Sequence, residues 1–169
     1  MGAAAARVMD DFAEDELRTI NRVTGLSTDY FNHHNEAIML LELIGDMPDM
    51  IDDVRAWHPV SYRSHFEDSN LGIAPAAIAC YETAPADSRV AFDNLTHCLD
   101  AFLVDAIGLI GDLIDAGHPD IAGDVGHQAS DFARRVVASG SALANGSRAD
   151  IFPERRASEQ TEALIDALF

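Results

Sequence analysis

The segment from residue 87 to residue 116 constrains the fold most, because an apolar side chain recurs in it every three or four positions. That spacing places these side chains on one side of a long helix. The apolar band consists of Phe92, Leu95, Leu99, Phe102, Leu103, Ile107, Ile110 and Ile114. The rest of the chain lacks the sustained alternation of apolar and polar residues that marks a half-buried strand. The sequence therefore predicts an all-α helical bundle around this central helix.

Capping residues, glycines and prolines predict six further helices. Their expected ranges are about 10–24, 30–45, 48–57, 61–68, 75–83 and 119–144. The short helices between residues 46 and 86 follow from four prolines, since proline begins a helix readily but disrupts its interior. The helix over 30–45 should bury the side that carries Phe31, Ile38 and Leu41. The last helix carries the apolar residues Ile121, Val125, Phe132, Val136 and Leu143.

The composition of the chain changes after residue 145. Residues 146–157 contain Gly, Ser and Pro, no helical periodicity and three arginines, which predicts a flexible linker. Ser158 is a good helix N-cap, and apolar side chains recur with helical spacing from there to the end of the sequence. We therefore divide the sequence into a bundle domain over 1–145, the linker, and an amphipathic peptide helix over 158–169.

The chain is strongly acidic. Twenty-nine acidic against 11 basic residues give its 169 residues a formal charge of −18, which repels nucleic acid and anionic lipid, so neither is an expected partner. All basic residues are arginine, which excludes a Walker-A phosphate loop and a Schiff-base lysine. With no export signal and no apolar run of about 20 residues, a cytoplasmic location and no membrane span are expected. Cys80 and Cys98 should be small buried side chains.

The last residues, EQTEALIDALF, combine a stripe of apolar side chains with flanking acids. This segment resembles the C-terminal peptide of CheZ-type chemotaxis phosphatases, which docks as a helix on a phosphorylated CheY-like response regulator. It is also similar to the peptide with which FliM-like flagellar switch proteins bind the same surface. The resemblance implies binding of a CheY-like receiver domain through Glu162, Leu164, Ile165, Asp166, Leu168 and Phe169. One difference is that the CheZ peptide usually has a glycine before its final phenylalanine.

CheZ proteins also place an Asp and a Gln one helical turn apart on a bundle helix. Asp124 and Gln128 have this spacing within the predicted last helix. The resemblance implies hydrolysis of the regulator's aspartyl phosphate, in which the amide of Gln128 positions the attacking water and the carboxylate of Asp124 holds the regulator's active-site lysine. Magnesium would be supplied by the receiver domain, so no cofactor is expected in this chain.

Other interpretations of the sequence stay open. The same peptide would suit a non-catalytic adaptor, or it would pack on its own bundle. Seven histidines raise the alternative of a metal-binding bundle of hemerythrin or ferritin type, but His33 and Glu36 reverse the order of the usual Glu-x-x-His motif, and no metal ligands are assigned. His34 and His127 are generic candidates for phosphotransfer, without the lysine that such domains usually carry. Homodimerisation is left open.

Aromatic residues of the short helices form a further group. Their expected role is to close one end of the bundle, with a pocket wall as the alternative. The group consists of Trp57, Tyr62, Phe66 and Tyr81.

Overall fold

The computed structural model describes residues 7–147 of the chain. Six α-helices lie wholly within these residues: α1 Phe31–Leu43, α2 Ile51–Ala56, α3 Tyr62–Asp68, α4 Ala74–Glu82, α5 Ala86–Asp115 and α6 Pro119–Ala144. Short 3₁₀ turns at Thr28–Tyr30 and Pro48–Met50 lead into α1 and α2. The described residues form no strand, only an isolated bridge between Ile20 and Ser27. The predicted all-α class is confirmed.

Local signals determine the ends of these helices. Ser61 caps α3 by accepting a hydrogen bond from the backbone N–H of Ser64 at 3.0 Å. Pro119 stands in the first turn of α6, where the missing N–H of proline costs no helical hydrogen bond. Gly117 adopts a φ of 79° between α5 and α6, a conformation that glycine reaches without steric cost. The two longest helices are therefore joined by a tight turn and pack along each other.

The core lies where α1 and α5 pack against α6. The buried side of α1 carries Phe31, His34, Ile38 and Leu41, as its spacing predicted. Most of the predicted band on α5 is buried, namely Phe92, Leu99, Leu103, Ile107 and Ile110. Val54 of α2 packs into the same cluster. No helix among the described residues combines the length and the apolar character needed to cross a bilayer.

A second apolar cluster closes the other end of the bundle. It joins α3 and α4 to the segment before α1 and to the first half of α5, with Phe66 and Phe92 fully buried in it. Cys80 belongs to this cluster, as predicted, whereas Cys98 is exposed and that prediction was wrong.

The last helix packs through its smallest residues, which corrects the predicted apolar face. Of the five predicted apolar residues, Leu143 is buried, Val125 and Val136 are half-buried, and Ile121 and Phe132 are 51% and 43% exposed. The buried side of α6 otherwise carries Ala122, Gly123, Gly126, Ala129, Ser130, Ala133, Gly140 and Ala144. A Cβ atom on Gly126 would lie 2.5 Å from the carbonyl oxygen of Leu41. Apolar spacing finds large side chains, but a close approach between two helix backbones selects small ones.

Residues 10–24, expected as a first helix, form successive turns instead. Their backbone hydrogen bonds mostly span three residues, as from the N–H of Ile20 to the carbonyl of Leu17 at 3.0 Å. Side chains take the N–H groups that a helix would use, since the Asn21 side-chain oxygen accepts from the N–H of Val23 at 2.9 Å and of Thr24 at 3.1 Å. Such local side-chain acceptors compete with the helical hydrogen-bond ladder.

Candidate functional site

Asp124 and Gln128 lie one turn apart on the solvent side of α6, and both are exposed. Residues four apart on a helix point in the same direction, so the carboxylate and the amide reach solvent side by side. Neither side chain hydrogen-bonds another of the described residues, which leaves both free to meet a ligand or a partner. The buried stripe on the opposite side of α6 holds this arrangement in place, because α6 packs closely on α1 there.

Two large apolar side chains flank this pair along the same face of α6. Ile121 stands one turn before Asp124, and Phe132 one turn after Gln128. The ring of Phe132 packs at 4.6 Å from that of Phe102 on α5, and the guanidinium of Arg135 lies 5.9 Å from the centre of the same ring. The face therefore combines a polar centre with partly exposed apolar ends, a composition found at many protein interfaces.

An ion pair fixes the edge of α6 next to this face. The guanidinium of Arg134 binds both carboxylate oxygens of Glu42 on α1, at 2.6 Å for one of them. The hydrogen bond from Arg134 lowers the pKa of Glu42 below its usual value. Beside this pair, the Nδ1 atom of His127 lies 2.9 Å from the carbonyl oxygen of Gly123 one turn earlier, so the ring is held against its own helix.

The expected partner-binding residues of the terminal peptide, Glu162 to Phe169, lie outside the described residues. The described residues include the C-terminal end of α6. The helix stops at Ala144, and Gly146, with a φ of 76°, donates its N–H to the carbonyl of Leu143 at 2.9 Å. This is a typical glycine C-terminal cap.

The two histidines of α1 contact neighbouring parts of the fold. His34 is completely buried, and its Nε2 atom lies 2.9 Å from the carboxylate of Asp100 on α5. The ring of His33 stacks on Trp57 at 5.0 Å, and its Nε2 atom lies 2.7 Å from the carbonyl of His58. Across residues 7–147, no group of three or more His, Cys, Asp or Glu side chains converges as a metal site does.

A cavity of about 290 Å³ opens between α5 and the segment that joins α2 to α3. The rings of Tyr30, Tyr62, Tyr81 and Phe92 form its aromatic wall, and Asp93, Thr96, His97 and Asp100 of α5 form its polar wall. Tyr62 and Tyr81 stack at 4.4 Å and an interplanar angle of 15°. Of the four aromatic residues named from the sequence, Tyr62, Phe66 and Tyr81 pack at the end of the bundle, and Tyr62 and Tyr81 also line this cavity. Trp57 instead packs into the central core.

Each carboxylate of the cavity is held by one neighbour. The hydroxyl of Tyr81 donates to Asp93 at 2.8 Å, and His34 supports Asp100 from behind. Burial, followed by the hydrogen bond to Asp93, raises the pKa of Tyr81 to about 12. Burial and then the charge of Asp100 raise the pKa of Tyr30 well above its usual value of 10.0. Both phenols therefore stay protonated at neutral pH and add no charge of their own.

Sequence analysis did not find the two carboxylates of this cavity. The signal that would have found them is their position, because Asp93 and Asp100 are seven residues apart and adjoin the apolar band of α5. Two acids at this spacing lie on the same side of the helix, and their neighbours in the apolar band place that side toward the protein. Charged residues are uncommon at such positions, so the pair could have been noticed.

The chain was compared with known proteins at three levels. No protein family model, no curated protein and no solved structure matches it.

Proposed function

We propose that this chain is a cytoplasmic signalling protein that binds a CheY-like receiver domain through residues 158–169 and dephosphorylates it through Asp124 and Gln128. The observation that carries the proposal is the arrangement on α6, where an exposed carboxylate and an exposed amide stand one turn apart between Ile121 and Phe132. The acidic composition agrees with a protein partner, since it disfavours nucleic acid and anionic membranes.

This chain supplies only two side chains to the proposed reaction. The regulator carries the phosphoryl group, the magnesium ion and the lysine of its own active site. The amide of Gln128 accepts a hydrogen bond from the attacking water and directs it in line with the phosphorus–oxygen bond to the aspartate. Asp124 pairs with the regulator's lysine and orients the regulator on α6. Inorganic phosphate and the free aspartate of the regulator are the products.

The chain geometry allows one regulator to meet both elements. Gln128 precedes the end of α6 at Ala144 by 16 residues, which corresponds to about 24 Å along the helix axis. The predicted linker over 146–157 spans at most about 40 Å when fully extended. A peptide tethered in this way raises the effective concentration of the regulator at α6 without any new contact.

The test measures the lifetime of a phosphorylated receiver domain with and without the full chain. Gln128→Ala should reduce the acceleration by about 100-fold, because the water is no longer positioned, and should leave the affinity for the receiver unchanged. Asp124→Asn, which removes the carboxylate that pairs with the regulator's lysine, should also lower the rate. Asp105→Asn removes an exposed carboxylate from α5 and is the matched control, which should retain full rate. Full rate in Gln128→Ala would reject the catalytic role.

The adaptor alternative shares the peptide but not the chemistry. In that case the wild-type chain binds the receiver without changing the lifetime of its phosphate, and removal of residues 158–169 abolishes binding. The truncation separates the two versions from any other function, because both require the peptide. Unchanged affinity after the truncation contradicts the phosphatase and the adaptor alike.

A further inference from the structure

We propose that Asp150, Ile151 and Phe152, which lie just beyond the described residues, fold back onto α6 and cover the exposed ring of Phe132. The contact lies within one chain and is tested without a receiver domain, so it does not rest on the proposed function. A receiver that docks on this face of α6 would have to displace the segment, and the contact would then regulate that function.

The surface to be covered is an aromatic patch on the outside of α5 and α6. Of the phenylalanine, tyrosine and tryptophan side chains of residues 7–147, that of Phe132 is the most exposed, at 43%. Its ring packs at 4.6 Å from that of Phe102, which is half-buried, as is Val136 one turn further along α6. Residues 7–147 therefore leave much of this patch uncovered, and covering it is favourable.

A cation at the edge of the patch indicates the charge of the segment that covers it. The guanidinium of Arg135 lies 5.9 Å from the centre of the Phe132 ring and forms no ion pair with another of residues 7–147. The neighbouring Arg134, by contrast, is paired with Glu42. A segment that joins an aromatic side chain to a carboxylate suits both features, and residues 150–152 have this composition.

The chain leaves α6 on the side of this patch. The N–H of Ser147, the last described residue, donates to the carbonyl of Ala142 at 2.9 Å, so the chain turns at the end of α6 instead of continuing along its axis. Ala142 and Arg135 are seven residues apart and therefore lie on one side of α6, separated by about 10 Å along its axis.

The distances along the chain and along the helix agree. Asp150 follows Ser147 by three residues, which span at most about 10 Å and so reach back to Arg135. Phe152 follows Ser147 by five residues, or at most about 17 Å, and Phe132 lies about 15 Å back along α6 from the same turn. The proline after Phe152 disfavours a helical conformation there, as an extended segment requires.

Two other occupants of the patch are less favoured. The amphipathic segment 158–169 is joined to α6 by a longer tether, which lowers its effective concentration at Phe132, and its acids would approach an acidic chain. A second copy of the chain is repelled, because each copy has a net charge of −18.

The reactivity of Cys98 measures the contact. This thiol is exposed on α5 one turn before Phe102 and points to the same side, whereas Cys80 is buried. The full chain is treated with iodoacetamide, an uncharged reagent, and alkylation of each cysteine is followed by mass spectrometry. We expect Cys98 to react about tenfold more slowly in the wild type than in Phe152→Ser, as when the segment is docked in about nine molecules of ten.

Further substitutions in the full chain locate the contact. Phe169→Ser makes the same change in the terminal peptide and should leave the Cys98 rate unchanged. Arg135→Glu and Asp150→Arg should each raise the rate by about threefold, the effect of one exposed ion pair, and the two together should restore the protection. Circular dichroism verifies that each variant is folded.

Three results would overturn the proposal. The first is equal Cys98 rates in the wild type and Phe152→Ser, with unchanged amide chemical shifts of Phe132 and Val136; the shifts decide if the two readouts disagree. The second is a faster rate in Phe169→Ser alone, which would identify the terminal peptide as the occupant. The third is protection that disappears on dilution, which would identify a second copy.

Discussion

Replacing Gly126 by alanine should destabilise the fold, although alanine is the better helix former. Alanine gains about 1 kcal/mol over glycine inside a helix. Its Cβ atom would lie 2.5 Å from the carbonyl oxygen of Leu41, a distance that real Cβ atoms essentially never show, and the obstacle is backbone. Helices α1 and α6 would therefore have to separate by several tenths of an ångström.

The cost of that separation exceeds the gain in helix propensity. Overpacking a close helix contact typically costs about 1–3 kcal/mol, and a gap of about 0.5–1 Å also removes a quarter to a half of the dispersion energy of each facing atom pair. We expect Gly126→Ala to lower the free energy of unfolding by about 2 kcal/mol, which corresponds to a midpoint lower by about 4–8 °C for a chain of this size.

Urea unfolding followed by circular dichroism measures the change, and Gly108→Ala is the matched control. Gly108 stands inside α5, where an added Cβ would meet nothing within 4 Å beyond the adjacent residues and the backbone of its own helix. Alanine should therefore stabilise the chain at this position by about 0.5–1 kcal/mol. The two substitutions are chemically identical, so opposite signs isolate the contact with α1. A gain of stability in both variants would refute the close approach of α6 and α1.

Three further predictions follow from charge, burial and exposure. Added NaCl should raise the thermal midpoint, because it screens the self-repulsion of a chain with a net charge of −18, and a flat salt dependence would contradict this. Burial, followed by the charge of His33, lowers the pKa of His65 below its usual 6.5, so on acidification the unfolded chain binds a proton before the folded chain does. The free energy of unfolding measured with urea should therefore fall as the pH drops from 6.5 through the lowered pKa. His65→Gln should flatten that dependence, and an unchanged profile would assign it to another group. Ile121→Gln should alter the free energy of unfolding by less than about 0.5 kcal/mol but weaken receiver binding, and equal binding would remove this end of α6 from the interface.

Much of the fold could be predicted because its signals are local. Proline, glycine and serine near the ends of α3, α5 and α6 act on their own backbone, so the expected ranges differ from the observed ones by about one residue. The failure over residues 10–24 has a local cause too. Asn21 offers an acceptor to nearby N–H groups, and propensity summed over a window does not weigh that competition.

The two candidate sites differ in how far the sequence could predict them. Asp124 and Gln128 belong to one helix, so their spacing predicts that they are adjacent, and the structure adds that they are exposed. The cavity is built by Tyr30, Tyr81 and α5, which come together only through packing between distant parts of the chain. Periodicity identifies the face of a helix, but it does not identify which residue of another helix lies opposite.

The small residues on the buried side of α6 account for the large apolar residues on its exposed side. A face of glycine and alanine lets α1 approach closely, and the ion pair from Arg134 to Glu42 anchors the edge of that contact. Because the interior of this contact has no room for large side chains, Ile121 and Phe132 cannot be core residues, and their burial is not needed to fold the bundle. In the proposed function, the receiver domain covers these two side chains. In that proposed complex the polar pair between them would lie at the centre of the contact, where a positioned amide has the most effect on chemistry in the partner.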